Sequence, residues 1–105
     1  MLVTGFEPFD ERGYNTSSEI FSLLPKKIEL HTIKTVTLPV HWQKAETVLS
    51  PVLVDTRPSL AVGLGMSKEN RIDLERIASN FRGSDRLDND GVPPGSERII
   101  EGGPP

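Results

Sequence analysis

The sequence predicts an α/β fold with a mainly parallel sheet, and three observations lead there. Apolar residues switch between a period of two and helical spacing in the order strand, helix, strand, helix, strand, which is two consecutive βαβ units. The third strand-like run, Ser59-Leu60-Ala61-Val62-Gly63-Leu64, is short and apolar throughout, as in a parallel strand buried on both faces. From Asn80 onward the chain is rich in Gly, Asp, Asn and Pro and shows no sustained period. The pattern therefore stops before a doubly wound sheet is complete, and the sequence reads as the first half of a domain.

Leu2 to Gly5 forms the first strand, broken by Gly5 and followed by a loop from Phe6 to Asn15 that Pro8, Gly13 and Asn15 punctuate. Asn15, Thr16 and Ser17 offer helix N-caps, and Glu19 falls in the first turn. Ile20, Phe21, Leu23 and Leu24 follow at helical spacing, so a short helix is predicted over Thr16 to Leu24, closed by Pro25. Alternation from Glu29 to Leu38 predicts a second strand that ends at Pro39. Trp42, Ala45, Leu49 and Val52 then fall on one helical face, predicting a helix from His41 to Val54 with Pro51 as an intruder that removes a donor. Asp55 to Pro58 is a loop, and the apolar run 59–64 is the third strand. Ile72, Leu74, Arg76 and Ala78 alternate with Asp73, Glu75 and Ile77, which predicts a fourth strand. The tail from Gly91 to Pro105 holds four glycines and four prolines and is expected to be irregular.

Composition narrows the function classes. The 105 residues fit one domain, with 35% hydrophobic and 26% charged residues and a net charge of −3. Both signs are interspersed, and no Lys/Arg cluster marks a nucleic-acid or polybasic membrane patch. Apolar runs are far short of a bilayer span, and the start lacks the charged and apolar regions of a secretory signal. Cysteine is absent, which removes disulfides, thiolate metal sites and a cysteine nucleophile from this chain.

The chain's most informative stretch is Leu2-Val3-Thr4-Gly5-Phe6-Glu7-Pro8-Phe9. In open α/β sheets ligands sit where strands end, so Phe6 and Phe9 stand either at the rim of a pocket or in the core as packing. Gly5 and Gly63-Leu64-Gly65 spell neither a dinucleotide fingerprint nor a P-loop and read better as strand-end turns. His31, in a strand, and His41, at a helix start, lack metal-ligand spacing; His41 reads as a capping or surface residue. Glu75 sits in an otherwise apolar pattern. It either faces solvent or serves to orient an imidazole by accepting its N–H. The Arg82-Arg86-Asp88-Asn89-Asp90 stretch reads as a solvated loop, and no serine lies in a Gly-x-Ser-x-Gly elbow.

Several of these pieces align with one family. The Thr4-Gly5-Phe6-Glu7-Pro8-Phe9 block, with Asn15 six residues on, resembles the N-terminal signature of pyroglutamyl peptidase I (pyrrolidone-carboxylate peptidase). Leu38-Pro39-Val40, Pro58 to Leu64 and Asp73-Leu74-Glu75-Arg76-Ile77-Ala78-Ser79-Asn80 fall in the family's order, and Asp88-Asn89 and Pro94-Gly95-Ser96 look like its following loop. The resemblance covers nearly the whole chain and makes residues 1–105 the N-terminal part of a single α/β domain, a partial three-layer α/β/α sandwich. It implies a cytoplasmic cysteine peptidase that removes an N-terminal pyroglutamyl residue from peptides with a Cys-His-Glu triad, without a cofactor or metal. It also implies a homo-oligomer, as in bacterial members. Glu75 matches the triad glutamate, and Phe6 and Phe9 match the rings that hold the lactam. Arg86, with a shifted gap, corresponds to an arginine near the oxyanion region.

The departures from the family are equally specific. Members commonly carry Gly-Gly after the second phenylalanine, where Asp10-Glu11 stand here. Many bacterial members have Gly-Gln after the third strand, where this chain has Gly63-Leu64. The family's nucleophilic Cys and base His lie beyond the equivalent of Pro105, and neither His31 nor His41 matches the base. One triad member of three is therefore expected in this chain. Two readings follow: the N-terminal half of a pyroglutamyl peptidase, inactive alone, or a non-catalytic module that keeps the pyroglutamyl pocket. An unrelated nucleotide-binding domain is disfavoured by the glycine spacing.

Overall fold

A computed structural model of the chain describes residues 1–95 and 98–105; Ser96, the end of the Pro94-Gly95-Ser96 match, lies outside them. Strand β1 (Leu2–Phe6) leads through the loop to helix α1 (Thr16–Glu19), which tightens into a 3-10 turn over Ile20–Leu23. Two short strands, β2 (Lys27–Ile28) and β3 (His31–Thr32), precede β4 (Lys34–Leu38). Helix α2 (Lys44–Thr56) then returns the chain to β5 (Ala61–Gly63).

The main sheet has the order β4-β1-β5 and is parallel at both pairings, Val3 standing opposite Thr35 on one side and Val62 on the other. The parallel α/β arrangement expected from the sequence is therefore present. β1 is the central strand, and the chain crosses from one of its flanks to the other between β4 and β5. Among the described residues, Leu2, Val3 and Leu38 are the buried apolar ones, with Leu2 only 1% exposed. β1 takes this place because its apolar run is flanked on each side by a strand that satisfies its backbone.

Gly5 fixes how α1 meets the sheet. A Cβ at this position would lie 2.3 Å from the Ser17 carbonyl oxygen and 2.6 Å from its carbon. Only a residue without a Cβ allows the helix backbone to approach this closely.

Three expectations are corrected. The single strand from Glu29 to Leu38 is divided: Glu29, at φ 53°, and Leu30 turn the chain between β2 and β3, an antiparallel ribbon, and only Lys34–Leu38 joins the main sheet. Alternation reports a period of two but not where a turn interrupts it. The run 59–64 is not buried on both faces, because β5 lies at the sheet edge with Ala61 and Gly63 exposed. The strand expected over Ile72 to Ala78 is irregular, with Ile72 at 96% and Ile77 at 85% exposure. Its alternation finds no neighbouring ladder among the described residues, and a strand without a partner leaves its backbone groups to water.

Helix boundaries shift by a few residues for local reasons. α1 is capped by Asn15, as its sequence position predicts. α2 starts at Lys44 because the His41 Nδ1 accepts the N–H groups of Gln43 and Lys44, both at 3.2 Å. It continues through Pro51 to Thr56 and ends on Arg57 in the left-handed conformation at φ 40°. Among the described residues, no helix is long and apolar enough to cross a membrane.

Gly5→Ala is expected to lower the unfolding free energy by about 1–3 kcal/mol, the usual cost of overpacking against backbone that cannot yield. Thermal melting of the variant checks this; an unchanged midpoint would mean that α1 can retreat from β1 without loss.

Candidate functional site

The C-terminal ends of the three parallel strands carry the loops that form the site. Strands of an open sheet present their ligand crevice at this edge, where the chain reverses its direction of travel across the sheet. The loop after β1 is built on a closed set of hydrogen bonds. The Phe6 N–H donates to Ser17 Oγ at 2.9 Å, and that hydroxyl donates to Asn15 Oδ1 at 2.7 Å. Asn15 Oδ1 also accepts the Ser17 N–H at 3.0 Å, while Asn15 Nδ2 donates to the Glu7 carbonyl at 2.9 Å. Asn15 is only 1% exposed. Its side chain thus caps α1 and at the same time fixes the backbone on both sides of Phe6.

Glu7 gathers the remaining loops. Its carboxylate Oε1 accepts the Val40 N–H at 3.0 Å and the Asn89 Nδ2 at 3.1 Å. Asn89 Nδ2 also donates to the Pro8 carbonyl at 2.8 Å, and the Asn89 N–H donates to the Val40 carbonyl at 3.0 Å. Trp42 Nε1 donates to the Arg86 carbonyl at 2.9 Å. The segment from Arg86 to Asn89 is therefore drawn across the loops that follow β1 and β4.

Between these loops lies a cavity of about 760 Å³. That is within the range of small-molecule sites, roughly 300–1,000 Å³. Phe6, Phe9, Pro39, Val40, Trp42, Ala45, Met66 and Leu87 supply apolar lining; Asp10, Glu11, His41, Arg86, Asp88 and Asn89 supply polar lining. The Arg12 guanidinium stands 5.9 Å from the centre of the Phe9 ring, at the outer reach of a cation–π contact.

A sequence profile for pyroglutamyl peptidase matches residues 1–105. The chain belongs to the pyroglutamyl peptidase family. It is 35% identical over 105 residues to the pyrrolidone-carboxylate peptidase of Thermococcus onnurineus, covering 99% of this chain and 52% of that protein. Identity to the Thermococcus kodakarensis enzyme of the same name is 36% over 105 residues, covering 99% and 51%. Among solved structures, the fold matches an E192D mutant pyrrolidone carboxyl peptidase from Pyrococcus furiosus with a TM-score of 0.90 at 35% identity, over 98% of this chain and 50% of that one. It matches the enzyme from Fervidobacterium islandicum with a TM-score of 0.88 at 37% identity, over 98% and 50%. The chain spans about half the length of the relatives it matches, and it fits the N-terminal half of a pyroglutamyl peptidase.

Of the residues singled out from the sequence, Phe6, Phe9 and Arg86 are brought together in the cavity wall of this family member. Glu75 stands on the irregular, exposed stretch between β5 and Asn80 and is not part of that wall. His41, Trp42 and Asp88 line the cavity without having been assigned to a site. His41 caps α2, as its sequence position suggested, but Asp88 lies across from it with a side chain only 2% exposed. The stretch from Arg82 to Asp90 carries five charged groups, which hid its role. Its signal was Asp88-Asn89, the two side chains that bind backbone.

Burial pushes the Asp88 carboxyl upward, but the N–H groups of Val92, Trp42 and Asp90 and the nearby His41 outweigh it, and the net shift is downward. Asp88 Oδ1 accepts Asp90 N and Val92 N, both at 2.9 Å, and Oδ2 accepts Trp42 N at 3.2 Å. Asp90 in turn takes the Lys44 ammonium at 2.8 Å. That hydrogen bond raises the lysine above its ordinary value.

Because the folded Asp88 carboxyl is depressed, its stabilisation is complete above the ordinary carboxylate range and is lost as pH falls through the lowered folded value. The melting-temperature gap between the parent chain and Asp88→Asn should therefore narrow as pH drops from 7 to below about 4. A gap that stays constant or widens would show that the carboxylate charge is not what organises this turn. Glu7→Ala should cost about 1–3 kcal/mol by leaving Val40 N without an acceptor and Asn89 Nδ2 with the Pro8 carbonyl alone. Glu7→Gln, which retains an acceptor oxygen, should recover most of that loss in the same denaturation measurement.

Proposed function

We propose that this chain is the substrate-recognition half of a pyroglutamyl peptidase, a hydrolase that releases an N-terminal pyroglutamyl residue from peptides in the cytoplasm. The observation that carries the reading is the pairing of Phe6 and Phe9 in the wall of one mainly apolar cavity, held there by Asn15, Ser17 and Glu7. A pyroglutamyl group is a neutral five-membered lactam. Flat apolar faces supply its affinity, and a few amide hydrogen bonds supply its selection. Glu75 takes the role of triad acid, accepting the N–H of a base histidine and steadying its imidazolium. Arg86 stands near the developing oxyanion.

The covalent step of a cysteine peptidase needs a thiolate and a base. This chain contains no cysteine. The thiolate and the catalytic imidazole belong, on this reading, to the stretch that the longer relatives have beyond the matched half. The thiolate adds to the pyroglutamyl carbonyl, the amine leaves with a proton from the imidazolium, and water then cleaves the thioester. The 105-residue chain by itself is inactive. A non-catalytic pyroglutamyl-binding module is the second reading, favoured by the placement of Phe6 and Phe9 in one cavity wall of a chain without cysteine.

Trp42 is the chain's one tryptophan and lies in the cavity wall, so its fluorescence reports occupancy. Titration with L-pyroglutamyl amide should give a saturable change that L-prolinamide, lacking the lactam carbonyl, does not. Phe9→Ala should weaken the response, and release of amine from a pyroglutamyl anilide should stay at background. No saturable signal with the amide would remove the recognition reading, and turnover by the 105-residue chain would remove the claim of inactivity.

A further inference from the structure

Two adjacent residues of the cavity wall hold a strained backbone. Asp10 and Glu11 adopt φ 55° and φ 58°, in the left-handed region. An L-residue there costs on the order of 1 kcal/mol, which glycine avoids. The family resemblance puts Gly-Gly at these positions. Two acidic side chains at a glycine-favouring turn call for a compensating role, since such outliers persist where function or surroundings hold them.

Arg86 Nη2 donates to Asp10 Oδ2, bridging residues from separate loops across the cavity mouth. Both side chains remain substantially open to solvent, Arg86 at 57% and Asp10 at 42%. A pair this exposed stabilises a fold by at most about 1 kcal/mol, which does no more than offset the strain. Its effect on the charge of the mouth is larger. Among the described residues Arg86 is the one guanidinium in the cavity wall, and Asp10, Glu11 and Asp88 share that wall with it. A free guanidinium at this place would take a ligand carboxylate through two parallel hydrogen bonds. With Asp10 on Nη2, one arm of that fork is engaged, and the carboxylates of Asp10, Glu11 and Asp88 make the surrounding charge acidic.

We propose that Asp10 is a specificity-determining residue that occupies Arg86 and thereby discriminates against the carboxylate of free pyroglutamate in favour of the neutral pyroglutamyl amide linkage. Resting on the pyroglutamyl reading of the cavity, it concerns the difference between the substrate, whose reacting carbonyl is uncharged, and the acid that hydrolysis leaves behind. The resident carboxylate competes with the product for the same guanidinium and so favours release.

The test is a Trp42 fluorescence titration of the 105-residue chain with L-pyroglutamyl amide and with L-pyroglutamate at neutral pH. Asp10→Asn removes the charge and keeps a residue that tolerates the left-handed conformation. Asp10→Gly removes both charge and strain, and serves if the asparagine variant folds poorly. Either variant should raise the acid-to-amide affinity ratio about fivefold, the limit for a partly exposed charge pair. Adding Arg86→Gln to Asp10→Asn should abolish that gain. A ratio unchanged by both Asp10 variants, or a gain that survives loss of Arg86, overturns the proposal while amide binding still supports the pocket. Failure of the parent chain to bind the amide removes the pocket reading first, and this inference with it.

Discussion

Asn15 is the constraint on which the site depends. Its amide is nearly excluded from water, and each of its two polar atoms has a partner fixed by the fold. An unsatisfied amide at such a place would cost about as much as the bonds it forms contribute, so the arrangement is held from both directions. The same side chain starts α1 and sets the backbone at Glu7, while Ser17 carries the connection to Phe6. Gly5 makes the geometry feasible, because the Ser17 backbone lies where any other residue would place its Cβ. A helix of only four residues is too short to be stable by itself, and its position comes from this contact rather than from its own propensity.

A second tier of hydrogen bonds carries that rigidity outward. Glu7 links the loop after β1 to Val40 after β4 and to Asn89, which lies 82 residues away in sequence. Asp88 accepts three backbone N–H groups and ties the same segment to the start of α2. These are charge-assisted bonds to backbone donors, stronger than neutral ones, and they replace regular secondary structure in a segment that has none. No buried side-chain nitrogen or oxygen lacks a partner among the described residues.

What could be read from the sequence follows the range of each signal. The strand-loop-helix start was legible because Val3, Gly5, Asn15 and Glu19 act within a few residues of one another, and parallel pairing followed from the order of elements. Phe6 and Phe9 could be placed at a pocket because strand ends are where such sheets hold ligands. The hairpin between β2 and β3 was illegible, since Glu29 carries no turn signature and takes a left-handed conformation that glycine or asparagine would have announced. Asp88 and Trp42 were hidden for another reason. Their contacts are 46 residues apart, and a charged loop looks solvated until a distant N–H group is found on its carboxylate. The ion pair of Asp10 with Arg86 was beyond reach in the same way, although the departure from Gly-Gly marked one half of it.

The same logic separates the two ends of the chain. The loops after β1 and β4 and the segment from Arg86 to Asn89 are tied together by side chains that reach backbone, and the described cavity lining falls between Phe6 and Asn89. The stretch around Glu75 is the opposite case: Ile72, Leu74 and Ile77 are at least 85% exposed, and their alternation would suit a sheet that no described strand supplies. Apolar side chains in that pattern are stable only when covered. A family member spanning about half its relatives' length would have this division if the pocket is assembled locally and the acid is assembled across the fold. The cavity wall then depends on contacts already satisfied in this chain, whereas the orientation of Glu75 depends on whatever covers the apolar residues on either side of it.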